Sequence, residues 1–217
     1  MFGGWNGKKA LNDLHVLDVD LIDKPDQFEE LWSEAFPIGT VPATRNNHIS
    51  VVVHRTKIFI HGGHDGEKWL NDLHILDTER MSWLMPNVAG TCPPARACHS
   101  LTRVQRRLIM FGGYDGQRCF NDIDVLDLDT VTWRQPKTEG STPQARNAHT
   151  MTQLPGKLYL FGGHSGNKHL RDLHVLDAEA SPMRWSTPEV SGVPPPGLRG
   201  HSATLIGNTV FMFGGIE

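Results

Sequence analysis

Cysteine is scarce in this chain: Cys92, Cys98 and Cys119 form no CxxC pair and leave one thiol over. With no signal-peptide pattern at the start, that usage fits a reducing interior, and a cytoplasmic location is expected. Long apolar runs are missing as well. None approaches the roughly 20 residues that a spanning helix needs, so no membrane role is expected. A basic excess is also lacking. The 21 Lys+Arg against 24 Asp+Glu leave a formal net charge of −3, which argues against non-specific nucleic-acid binding. No window holds a helical period for three turns. The single exception is Lys24–Glu34, where Phe28, Leu31 and Trp32 could share one face of a short helix.

What the chain does have is glycine and proline at fixed phases. The stretch Phe161–Trp185 (FGGHSGNKHLRDLHVLDAEASPMRW) returns as Phe111–Trp133, as His61–Trp83 and, with an insertion, as Phe2–Trp32. The second glycines fall at Gly4, Gly63, Gly113, Gly163 and Gly215, at intervals of 59, 50, 50 and 52 residues. A period near fifty is the signature of a repeat architecture. Each unit holds four short apolar runs bounded by Gly, Pro, Asn and Asp, which are strand signals. The first run starts at His48, His99, His149 or His201; the second leads into the glycine pair. The third ends in Leu-Asp, and the fourth carries Trp32, Trp83, Trp133 or Trp185. After each tryptophan come Gly39, Gly90, Gly140 or Gly192, then Pro42, Pro93, Pro143 or Pro195. Arg45, Arg96 and Arg146 follow, then the histidine of the next unit; in the last unit Leu198 stands at the arginine phase.

Four short strands cannot bury both faces of their own sheet, so successive sheets must stack, and twisted sheets stack radially about an axis. The series Gly-Gly, NDLHVLD, Trp, GxxPxxRxxH resembles the kelch repeat over essentially the whole chain. The resemblance implies an all-β kelch-type β-propeller of four-stranded antiparallel blades, acting as a protein-interaction platform. The phases divide the chain into a half blade over 1–38, blades over 39–89, 90–139 and 140–191, and a half blade over 192–217. Three complete blades plus two half blades read as a segment of a larger propeller, with a closed four-bladed ring as the alternative.

The repeated residues have structural readings. The glycine pairs give a tight exit from the second strand. The tryptophans, above all Trp83, Trp133 and Trp185, should lie buried between blades. Asp13, Asp72, Asp122 and Asp172 either cap turns or pair with a basic group. Seven of the twelve histidines sit at two repeat phases, one per blade, so no metal site, cofactor or catalytic residue is expected. An enzymatic alternative remains within the resemblance, in metal-dependent specifier-type or oxidase-type kelch proteins. Oxidase chemistry needs tyrosine ligands, and only Tyr114 and Tyr159 are present.

The loops between second and third strands carry the candidate docking face. In a meander they share an end with the crossover from the fourth strand to the next blade. Lys8, Lys9, Lys68, Arg118 and Lys168 lie in them, with Arg45, Arg96, Arg146 and Arg199 nearby, against Asp65, Glu67, Asp115, Glu139 and Glu189. Trp5, Trp69, Tyr114 and Phe120 stand in the same loops and read as exposed interface anchors. The candidate partner-binding set is therefore Trp5, Lys68, Trp69, Tyr114, Arg118, Phe120 and Lys168 with Arg45, Arg96 and Arg146. The partner is a protein, an acidic peptide segment being the specific expectation. For the three repeated arginines a second reading stands beside binding, in which each pairs with the third-strand aspartate of its own blade.

Overall fold

A computed structural model of the 217-residue chain describes residues 1–21 and 31–217. The expected helix at 24–34 falls mostly outside these residues, and its last positions belong to the strand Trp32–Ala35. Among the described residues the chain is strands and turns apart from one 3-10 turn, Val19–Leu21.

Five sheets follow one another along the chain. The second consists of the antiparallel meander Ile49–Val53, Lys57–His64, Trp69–Asp77 and Ser82–Leu84, with the short strand Ile38–Gly39 added in parallel to its outer edge. The third repeats this with Ser100–Val104, Arg107–Phe111, Ile123–Asp127 and Thr132–Arg134, edged by Ala89–Gly90. The fourth uses Thr150–Leu154, Lys157–Phe161, Leu173–Asp177 and Met183–Ser186, edged by Thr138–Gly140. The first sheet holds Phe2–Trp5, Ala10–Leu17 and Trp32–Ala35; the fifth holds Ser202–Ile206 and Thr209–Phe213. Among the described residues no ladder joins the fifth sheet to the first.

The first strands of the second to fifth sheets lie side by side, which makes them the inner strands of blades arranged about an axis. Apolar clusters fill the spaces between sheets. One joins Ile109, Phe111, Ile123 and Val125 of the third sheet to Met151, Leu158, Leu176 and Trp185 of the fourth. A second joins Phe59 and Ile75 of the second sheet to Leu108, Leu126 and Trp133 of the third. The expected tryptophans are core residues: Trp83, Trp133 and Trp185 are 5%, 2% and 2% exposed. Each ring packs on the aromatic residue before the glycine pair of the preceding sheet: Trp83 on Phe2 at 5.0 Å, Trp133 on His61 at 5.5 Å, Trp185 on Phe111 at 5.2 Å.

The short edge strands explain the glycine seven residues after each tryptophan. Gly39, Gly90 and Gly140 lie against the carbonyl of the next unit's tryptophan, and a Cβ on Gly140 would stand 2.0 Å from the Trp185 oxygen. No side chain fits there. The outer strand of one sheet is therefore locked by the segment leaving the sheet before it.

Candidate docking face

The crossover that enters each blade is pinned from both sides. The Arg45 amide donates to the Leu11 carbonyl of the first sheet (2.8 Å), and the Arg45 carbonyl accepts from Gly4 of the same sheet (2.8 Å). One residue on, Asn46 exchanges backbone hydrogen bonds with His64 of the second sheet at 2.9 and 3.0 Å. The pattern returns with Arg96 on Leu70 and Gly63, then Arg146 on Phe120 and Gly113. The close approach requires the glycine pair. Gly62 and Gly63 adopt φ of 64° and 101°, and a Cβ on Gly62 would meet the Arg96 carbonyl at 2.7 Å.

The arginine side chains then turn inward. Nη1 and Nη2 of Arg45 donate to both carboxylate oxygens of Asp72 (2.9 and 2.8 Å), and Nη1 also donates to the Gly62 carbonyl (2.9 Å). Arg96 holds Asp122 and the Gly112 carbonyl, and Arg146 holds Asp172 and the Gly162 carbonyl, in the same way. All three arginines have no exposed surface. A guanidinium taken out of water must keep its donors paired, and the planar fork does so bidentately. Burial works against ionisation of Asp72 and Asp172, yet hydrogen bonds from His74 and Arg45, and from His174 and Arg146, hold both carboxyls well below the usual range. Arg45, Arg96 and Arg146 are thus buried inside the scaffold with their donors paired. The pairing with the third-strand aspartate of the same blade is the arrangement observed. Phe120 also corrects the expectation of an exposed ring. It is 6% exposed, because the guanidinium groups of Arg96 and Arg118 lie over its ring at 4.0 and 5.0 Å.

The remaining candidates do meet at one end of the sheets. Each loop after a glycine pair is closed by a side-chain cap two residues on. Asp65 Oδ1 accepts from the Glu67 and Lys68 amides, Asp115 Oδ1 from Gln117 and Arg118, Asn6 Oδ1 from Lys8 and Lys9, and Ser165 Oγ from Lys168. These are Asx-type turns, which any short polar side chain can make. The variation Asn, Asp, Asp, Ser at one phase therefore reflects a common capping role. The Lys68 amide, the first of these contacts, holds the Asp65 carboxyl below its ordinary value. Each capped turn then projects a cation at the same position: Lys9, Lys68, Arg118 and Lys168 are all exposed.

Between the cations runs an aromatic belt. Trp5 is 56% exposed and shares a groove of about 480 Å³ with Asn46, Asn47, His64 and Gly66. His64 stacks edge-on against Trp69 at 3.8 Å, and Trp69 lies 6.1 Å from Tyr114. The Trp69 ring covers Gly116 of the next loop, where a Cβ would meet Trp69 Nε1 at 3.0 Å and the φ of 94° itself favours glycine. A second groove of about 480 Å³ opens there, lined by His64, Glu67, Lys68, Trp69, Asp115 and Gln117 among others. Trp69 and Tyr114 are half-buried, and the Tyr114 hydroxyl donates to the Gly116 carbonyl at 2.7 Å. Loop-to-loop contact continues to the fourth sheet, where Asn147 and the His164 carbonyl meet Cys119 Sγ at 3.1 and 3.6 Å. His64, Asn46 and Asn47 were not among the residues singled out from sequence. The signal for His64 was its phase, directly after the glycine pair, where Trp5 and Tyr114 also stand. Among the described residues no group of three or more His, Cys, Asp or Glu is placed to hold a metal ion.

A family model described as the KLHDC2/KLHL20/DRC7 Kelch-repeats domain matches residues 1–215. The chain belongs to the kelch-repeat family. Similar kelch relatives include Acyl-CoA-binding domain-containing protein 4 of Arabidopsis thaliana, 35% identical over 101 residues that make up 46% of this chain and 14% of that protein. Host cell factor 1 of Homo sapiens is 30% identical over 108 residues, 48% of this chain and 5% of that protein. Tip elongation aberrant protein 3 of Schizosaccharomyces pombe is 34% identical over 104 residues, 38% of this chain and 9% of that protein. The chain thus corresponds to a small part of each relative's length.

Proposed function

We propose that this kelch chain is a non-catalytic docking module that holds a protein segment on the loop face between Trp5 and Lys168. The observation that carries the reading is an exposed cation at the same position of each loop, beside the ring series His64, Trp69 and Tyr114 and the groove that Trp5 shares with His64. Aromatic rings and arginine are the side chains that most often anchor protein interfaces. Charge supports an acidic partner. Lys8, Lys9, Lys68, Arg118 and Lys168 project from the loops against one exposed carboxylate, Glu67, while Asp65 and Asp115 are turned into their own turns. With the three repeated arginines already paired inside the blades, recognition of carboxylates falls to these loop cations. A cytoplasmic setting accords with the three unpaired thiols.

A fluorescein-labelled peptide of alternating Glu and aromatic residues is the probe for this reading. The chain is expected to bind it with an affinity that falls as salt is raised, since the contacts are exposed. Trp69→Ala/Arg118→Ala should weaken binding at least tenfold while leaving the melting temperature within a few degrees. Unchanged affinity in that variant contradicts the assignment.

A further inference from the structure

At every seam the histidine that opens the first strand inserts its ring against the glycine pair of the preceding sheet. His99 Cε1 would stand 3.0 Å from a Cβ on Gly62, and His149 Cε1 2.9 Å from one on Gly112. Each ring also meets the preceding aromatic position edge-on: His48 on Phe2, His149 on Phe111, His201 on Phe161. Two of these histidines bond a hydroxyl on the preceding inner strand. His149 Nε2 lies 2.9 Å from Ser100 Oγ, and His201 Nε2 lies 2.9 Å from Thr150 Oγ1. The second sheet breaks both rules together. Ile49 stands where Ser100 and Thr150 supply the hydroxyl, and His61 stands where Phe2, Phe111 and Phe161 supply the ring. His61 Nδ1 instead meets His99 Nε2 at 3.1 Å. The two exceptions compensate each other.

The compensation changes the chemistry of that seam. His61 has no exposed surface and His99 has 5%, and their other ring nitrogens, His61 Nε2 and His99 Nδ1, have no partner. One neutral imidazole donates to the other. A further proton would enter a buried site where the Asn71 backbone and Asp72 favour it on the His61 side but burial, Arg96 and Arg45 oppose it, with Arg96, His149 and His48 opposing it on the His99 side. Burial, with Arg96 second, holds His61 down at about 4; burial, with His61 second, holds His99 well below its ordinary value. We infer that the seam between the second and third sheets is an acid-sensitive joint, in which two histidines take up protons on opening where each neighbouring seam offers one, against the single proton that Asp124, on the same face as Leu126, gives up there.

Between about pH 6.5 and about pH 4 an opened seam exposes histidines that protonate while the closed seam keeps them neutral. With Asp124 replaced by Asn, which removes the opposing carboxyl, the opening equilibrium should rise up to about 100-fold per pH unit at this joint and up to about tenfold at the next, where His149 alone is held down, to about 3. Native-state hydrogen exchange of Asp124→Asn between pH 7 and 5, corrected for intrinsic rates, reads both seams in one molecule. Amides of Gly63, Arg96 and Cys98 report the first, and those of Gly113, Arg146 and Ala148 the second. The expected result is a steeper pH dependence for the Gly63 group. Equal slopes, or a steeper slope for the Gly113 group, overturn the inference. Adding Ile49→Ser/His61→Phe to Asp124→Asn rebuilds the joint in the manner of its neighbours and should make the two slopes alike. A difference that persists in that folded variant also overturns it, and the comparison within Asp124→Asn decides the matter if the further variant does not fold.

Discussion

Arg45, Arg96 and Arg146, whose side chains have no exposed surface, each tie one blade to the one before. Their backbones bond the preceding sheet and their side chains bond their own. Where Leu198 takes the fourth position, the backbone half persists, with Gly163 donating to its carbonyl at 2.7 Å, and the side-chain half is gone. A departure of another kind occurs at Asp124. It replaces the histidine that pairs with the third-strand aspartate elsewhere, as His74 does with Asp72 and His174 with Asp172, both at 2.8 Å. Asp124 is 2% exposed, and its Oδ2 has no hydrogen-bond partner, with Arg96 Nη2 at 3.8 Å offering only a long ion-pair contact. Burial, then the neighbouring Asp122, raises its carboxyl to about 6. The sign follows from the raised value: the buried carboxylate destabilises the fold above about pH 6, and the penalty fades as pH falls toward the ordinary carboxylate range. Asp124→Asn should therefore raise the melting temperature at pH 7.5 by about 2–4 °C, the shift that about 1 kcal/mol gives at this size. The gain should shrink at pH 4.5. A variant less stable at pH 7.5 contradicts the reading.

At the scale of strands and sheets, much was legible in the sequence because packing repeats whenever geometry repeats. Glycine pairs, tryptophans and the Gly-Pro-Arg-His series marked strand ends and seams, and the observed sheets follow them. Trp133 shows what that regularity is for, since its buried ring joins the second and third sheets. Trp133→Ala should lower stability by about 3–5 kcal/mol in chemical denaturation, the scale for a buried aromatic. A loss below about 1 kcal/mol contradicts a seam role. Spacing alone did not say which way a repeated arginine turns, toward solvent or toward its own aspartate, because both readings share one phase. Nor did it reveal that Phe120 lies under Arg96 and Arg118, a contact made by residues from two different loops. The pairing of His61 with His99 was equally hidden: each departure looks like noise until the two sheets are brought together.

On the scale of the whole molecule, the repeat divides labour between a scaffold that barely varies and loop tips that do. Scaffold phases answer to packing, and loops positioned by a rigid frame are free to specialise. The loop face gathers Trp5, His64, Trp69, Tyr114 and the four cations, whereas the opposite end carries the turns at 54–56, 105–106 and 155–156. On that end Arg106 is paired with Asp129, and Gln105 with Glu179. The central claim is that a partner segment docks on the loop face. Amide chemical-shift mapping with the acidic aromatic peptide tests it most directly. The account predicts perturbations concentrated in residues 5–9, 64–69, 114–119 and 164–168, with the turns at the opposite end unmoved. Perturbations centred on residues 54–56 and 105–106, with the four loops silent, would contradict it.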